Sequence, residues 1–202
     1  MSYWSAEFET AWLLFLLVLP LASWPLLRWH RRAFGRVGGW PLLVSLAALL
    51  YGCALVAFPF FPWPDLGGDF CEKHLGRSHW QLIPLESYWI EAQRLLARGP
   101  RELLSFEFLQ EFFNVVFFLP LGFLLAYRCR LSPLNAMGVG AAVSGFIELA
   151  QGTGLFGLMP CAWRLASVDD LISNSLGALL GALIGTWAAR RFPEPRALEY
   201  RR

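Results

Sequence analysis

The sequence predicts an all-α membrane protein, a polytopic bundle of about five transmembrane helices with an outer loop that carries a short amphipathic helix. Three observations predict it. Of 202 residues, 56% are hydrophobic and only 16% charged, where a soluble domain carries about 25% charged residues. Several apolar windows approach the roughly 20 residues that cross a hydrocarbon core of about 30 Å. Between those windows the arginines cluster in every second connection.

The first span is read over residues 11–27, "AWLLFLLVLPLASWPLL". A cleaved signal peptide would have a basic segment before it and small residues at a cleavage site after it. Here "RWHRR" follows instead, so the span is expected to be retained. The second span covers residues 40–58. Together, residues 1–58 read as a two-helix scaffold, apolar nearly all round, with Trp residues at its ends as interface anchors.

Residues 59–111 read as the outer loop. "PFFPWPDLGGDF" is turn-rich and aromatic. "ESYWIEAQRLLAR" (86–98) has the period of an amphipathic helix, with Trp89, Ala92 and Leu96 on one side and Glu91, Arg94 and Arg98 on the other. Such a segment either lies flat on the outer leaflet or caps the bundle. Cys71, in this loop, and Cys161, in a later outer loop, are the pair that an oxidising compartment would join. His74 and His79 lack the i, i+3 or i+4 spacing of a helical metal pair, so no metal or other cofactor is expected.

Residues 112–189 read as a three-helix core with spans over 112–127, 134–152 and 170–189, and residues 190–202 as a basic cytoplasmic tail. Eleven arginines (after spans one, three and five) then share one side, against six basic residues on the other. The positive-inside rule places the N-terminus outside and the C-terminus in the cytoplasm. A net charge of +2 gives no ground for a nucleic-acid partner.

The unusual polar residues of the core gather at the outer ends of its spans. Asn114 opens span three. Ser144, Glu148 and Gln151 share one face of span four, and Asp170 and Asn174 share one face of span five. Asp169 precedes them as a candidate N-cap, and Arg164 lies in the short outer loop. Carboxylates at membrane depth are expensive and normally find a partner. Arg164 is therefore expected to pair with Glu148 or Asp170. Glycines Gly177, Gly181 and Gly185, four residues apart, suit close helix packing. Pro120 is expected to kink span three.

"NVVFFLPLG", "SGFIELAQ" and "RLASVDDLISNSLG", in that order, resemble the VanZ-like family of bacterial membrane proteins; "QLIPLESY" resembles the family's approach segment, with Gln81 and Leu85 in place of Asn and Phe. The resemblance spans about residues 81–189 and implies an envelope-linked role in the bacterial inner membrane. The family takes its name from a protein that lowers susceptibility to the glycopeptide teicoplanin.

Two functions are compatible with the cluster. In one, Asn114, Ser144, Gln151, Arg164, Asp169 and Asn174 hold the head group of an anionic envelope lipid or lipid-linked precursor. In the other, Glu148 and Asp170 perform acid–base catalysis on such a substrate. No nucleophile motif such as G-x-S-x-G accompanies them. A third role, ordering the bundle for a membrane protein partner, needs neither.

Overall fold

The computed structural model describes residues 5–35, 37–61, 71–72 and 79–192. Among them, five helices are long and apolar enough to cross a membrane, and the only sheet is a pair of two-residue strands. The chain divides into two compact units, Met1–Trp63 with Phe192–Arg202, and Pro64–Arg191.

The first unit is a hairpin of α1 (Ser5–Phe34) and α2 (Gly39–Phe60). The helices run antiparallel. Phe8, near the start of α1, meets Phe58, near the end of α2, edge to face. At the opposite end, Nε2 of the fully buried His30 lies 3.0 Å from Ser45 Oγ, which itself donates to the Pro41 carbonyl. With its hydrogen committed to Pro41, the serine accepts from the histidine. Leu13, Leu17, Leu21 and Trp24 are exposed along α1, a surface that only lipid or another apolar face can cover. Helix α1 is longer at both ends than the apolar run, and stays helical through Pro20 and Pro25.

The second unit holds the other three spans. Helix α4 (Phe106–Tyr127) starts six residues before the apolar run at 112, because Ser105 caps it by accepting from the Phe108 N–H. It runs through Pro120 as one helix. Helix α5 (Pro133–Gly152) begins with Ser132 as N-cap and proline in its first turn, the position that tolerates a missing N–H. Helix α6 (Val168–Arg191) follows and packs most extensively on α4.

The glycine stripe explains that packing. A Cβ on Gly177, Gly181 or Gly185 would come within 2.2, 2.0 and 2.6 Å of the Val115, Leu119 and Phe123 carbonyl oxygens. Four-residue steps on α6 thus match four-residue steps on α4 in the same direction. The two helices are parallel, with backbones in contact, as small residues allow in lipid.

Above the bundle, α3 (Glu86–Arg98) and a 3-10 turn (Pro100–Leu104) lead into α4. The sequence reading contains no strands, yet β1 (Trp80–Gln81) pairs in parallel with β2 (Ala166–Ser167). The disulfide Cys71–Cys161 ties the same two loops.

Candidate functional site

The site is assembled at Ser167, immediately before α6. Its hydroxyl accepts from the Asp169 N–H at 3.1 Å and the Asp170 N–H at 3.4 Å, and so caps α6. The same hydroxyl donates to Gln81 Oε1 at 3.1 Å, across the β1–β2 pair. Its backbone N–H donates to Glu148 Oε2 at 2.8 Å. One serine therefore joins α5, α6 and β1.

With Ser167 in that role, Asp169 does not cap its own helix. It is fully buried, and its carboxylate accepts from the Leu85 N–H at 2.5 Å, the Ser87 N–H at 2.8 Å and the Gln81 amide at 3.4 Å. Leu85 is the N-cap position of α3, has a left-handed φ of 65°, and offers no side-chain cap. Asp169 supplies that cap from another helix, where the first-turn N–H groups and the helix dipole favour a negative charge.

Held this way, α3 turns its polar side inward. Glu91 is 7% exposed, while Trp89 is 67% and Leu96 88% exposed. Between α3, α4 and the start of α6 lies a cavity of about 290 Å³. From α3 it is lined by Ser87, Ile90, Glu91 and Arg94; from α4 by Gln110 and Glu111; and by Leu165 just before β2, Ser167 in β2 and Asp170 in α6. Arg94 Nη1 donates to Glu91 Oε1 at 2.6 Å. Glu111 accepts from the Ser173 hydroxyl at 3.1 Å, and Ser173 is hydrogen-bonded to the Tyr88 hydroxyl. Burial, reinforced by the neighbouring Glu111 and Asp169 charges and partly opposed by the Ser173 hydrogen bond, holds the Tyr88 phenol above its ordinary value.

The residues singled out from the sequence separate into groups. Asp170 lines the cavity. Asn114, on α4, lies beside Asp170 and is not among the described lining residues; its amide nitrogen is buried without a hydrogen bond of ordinary geometry. Glu148 is buried one layer behind, within electrostatic reach of Asp170. Deeper in the bundle, the buried Ser144 accepts from Asn174 Nδ2 at 2.9 Å, joining α5 to α6. Gln151 is buried, and it and Arg164 have interactions of their own. Neither Gln151 nor Arg164 is among the described residues that line the cavity.

Arg164, expected to pair with Glu148 or Asp170, has interactions of its own, and Glu148 takes a backbone donor. The β1–β2 pair points the Ser167 N–H at Glu148. His74 lies outside the described residues.

Five participants were not identified from the sequence: Glu111, Glu91, Arg94, Ser167 and Tyr88. Signals for two were present. "SVDD" is a Ser-x-x-Asp cap before an apolar run. Glu111 precedes Asn114 by three residues and shares its helix face. The inward turn of Glu91 and Arg94 depends on the Asp169 contact, which no local pattern encodes.

A family model described as VanZ/LLP1 matches residues 48–189. The chain belongs to the VanZ/LLP1 family. No curated protein and no solved structure matches it. The matched stretch takes in every residue placed at the cavity and at the Ser167 junction, whereas α1 lies outside it. The family match thus covers the whole part of the chain that builds the cluster, together with the second half of α2.

Proposed function

We propose that this VanZ/LLP1 protein binds the phosphate-bearing head group of an envelope lipid or lipid-linked precursor in the cavity between α3, α4 and α6. The observation that carries the proposal is the orientation of α3. Glu91 and Arg94 line the cavity while Trp89 and Leu96 face outward, as in a helix seated in a membrane interface. A volume of about 290 Å³ lies at the lower edge of ligand pockets, which suits a head group with its chains left in the bilayer. Arg94 is placed to hold a phosphate by the planar fork of its guanidinium, the role that the sequence suggested for Arg164. Ser87, Gln110 and Ser167 supply neutral hydrogen-bonding groups.

The position of Glu148 favours recognition over acid–base chemistry. Its Oε2 accepts from the Ser167 N–H, and it is not among the described residues lining the cavity. In this reading, the bundle crosses the bacterial inner membrane with its N-terminus outside and its C-terminus in the cytoplasm, so the cavity opens at the outer leaflet. The arginine distribution and the disulfide between the outer loops support that orientation.

The test is lipid retention, measured by native mass spectrometry after extraction in mild detergent. Arg94→Ala is expected to lower retention at least tenfold, the equivalent of one charged hydrogen bond of about 1.5–3 kcal/mol. Glu148→Gln is expected to retain lipid nearly as wild type does. Equal retention by Arg94→Ala and wild type would remove the cavity as the binding site. A C-terminal fusion active as an exported alkaline phosphatase would overturn the orientation. A deletion strain's teicoplanin susceptibility shows whether the binding bears on glycopeptide action.

A further inference from the structure

The connection that follows α5 is left-handed. Gly154, Leu155, Phe156 and Gly157 have φ of 62°, 53°, 58° and 84°. With ψ of 50° at Leu155 and 35° at Phe156, the segment is a left-handed helical turn. Glycine adopts this conformation freely, whereas leucine and phenylalanine adopt it at a cost. Strain of this kind persists where the surroundings hold it.

The turn does two things at once. It satisfies its own backbone: the N–H groups of Thr153, Gly157, Leu158 and Met159 donate to the Leu149, Thr153, Leu155 and Gly154 carbonyls, and the Phe156 N–H donates to the Thr153 hydroxyl. That hydroxyl donates in its turn to the Leu149 carbonyl. Polar groups leave water at low cost only when they are hydrogen-bonded in this way. The turn also sends apolar side chains outward. Phe156 is exposed and Leu158 is 85% exposed. From Leu149 to Trp163 the chain carries no charged residue, where a connection in water is ordinarily polar.

One contact indicates what covers these side chains. The Phe156 ring lies 5.4 Å from that of Phe146, centroid to centroid. Phe146 belongs to the span Pro133–Gly152 and is exposed there, as is Leu149. The apolar surface of the span thus runs on without a break into the turn, and the acyl chains that cover α5 reach Phe156.

We infer that the Gly154–Gly157 turn is a non-spanning lipid anchor, which seats Phe156 and Leu158 in the acyl chains just below the head groups at the cavity end of the bundle. An apolar face buries itself to that depth without crossing the bilayer. The anchor is joined to the site by packing. A Cβ on Gly154 would lie 2.8 Å from the Cys161 carbonyl oxygen, so the turn rests on the segment that leads through the disulfide to β2. This inference concerns the bilayer surface and does not depend on what occupies the cavity.

The experiment places a fluorescent NBD label on Leu158→Cys, combined with Cys129→Ser so that the buried Cys53 is the one other free thiol. The protein is reconstituted at one copy per nanodisc. Two quenchers are compared: phospholipid with a nitroxide near the top of its acyl chain, and aqueous iodide. The reference is the same label on Arg98→Cys, at a side chain 68% exposed. The nitroxide lipid is expected to quench at least half of the signal at 158, and iodide to be at least threefold less effective there than at 98. Iodide acting equally at both positions would put the turn in water and overturn the anchor. Protection at 158 from both quenchers would put a protein surface over it, a second copy or another part of this chain, and would overturn it too. Wild-type protein in discs that contain a diazirine-bearing phospholipid reads the same contact without any variant. Lipid adducts are expected on residues 155–159, and adducts confined to the spans would overturn the anchor.

Discussion

Replacing Asp169 by asparagine should unlatch α3. The carboxylate is fully buried and accepts from two backbone N–H groups, Leu85 at 2.5 Å and Ser87 at 2.8 Å. Each hydrogen bond to a charged acceptor is worth about 1.5–3 kcal/mol. Asparagine keeps the shape and one carbonyl oxygen. Its NH2 must then face one of the two N–H donors, so one bond is lost and the other loses its charge. Leu85, with φ of 65°, also sits in a conformation that costs a leucine about 1–2 kcal/mol and persists only while something holds it. The sum, about 3 kcal/mol after relaxation, corresponds to roughly a hundredfold shift in the local opening equilibrium. Hydrogen exchange of the peptide covering α3 in detergent reads this directly, as amides of its first turn exchanging about a hundredfold faster. Lipid retention should fall with it, although Asp169 is not among the described lining residues, because Glu91 and Arg94 ride on α3. Wild-type protection of α3 in the Asn variant would refute the latch.

Three further outcomes follow from the same packing. Gly181→Ala places a Cβ 2.0 Å from the Leu119 carbonyl oxygen and should destabilise by at least about 1–3 kcal/mol, whereas Gly138→Ala, with nothing within 4 Å, should be neutral or stabilising; paired thermal melts decide it. Replacing Cys71 and Cys161 together by serine frees a 90-residue connection and should lower stability by about 2–5 kcal/mol, with reductant causing a similar fall in the melting temperature of wild type alone. Tyr88 ionises less readily in the folded protein than its ordinary value of 10.0. Its contribution to stability is therefore complete below about pH 10 and is lost as pH rises through the folded value. Melts across that window should decline more steeply for wild type than for Tyr88→Phe, and parallel declines would contradict the assignment.

The spans were legible because hydropathy and arginine spacing act over whole segments. Their ends were less so, since the early start of α4 depends on one capping serine, Ser105. That difference matters at the site, because it puts Glu111 within the helix and not in the loop. The levels of Glu148 and Asp170 were readable from helical period. Their partners were not. Ser167 reaches Glu148 only because β2 pairs with β1, a contact over more than 80 residues of chain. Likewise the period of α3 showed two faces but could not say which one turns inward. In water the apolar face would turn in, whereas Trp89 and Leu96 face out here, as they can where the surroundings are lipid. Ser144 and Asn174 were grouped with the ligand-binding residues by their level, but they bond to each other between α5 and α6.

The most direct test of the account is a structure of the protein in nanodiscs formed from its native membrane lipids. The account predicts head-group density in the cavity, with the phosphate within hydrogen-bonding distance of Arg94, the remainder of the head group beside Glu111 and Asp170, and Trp89 and Leu96 against acyl chains. A cavity holding only water in that environment, with lipid ordered elsewhere on the bundle, would contradict it.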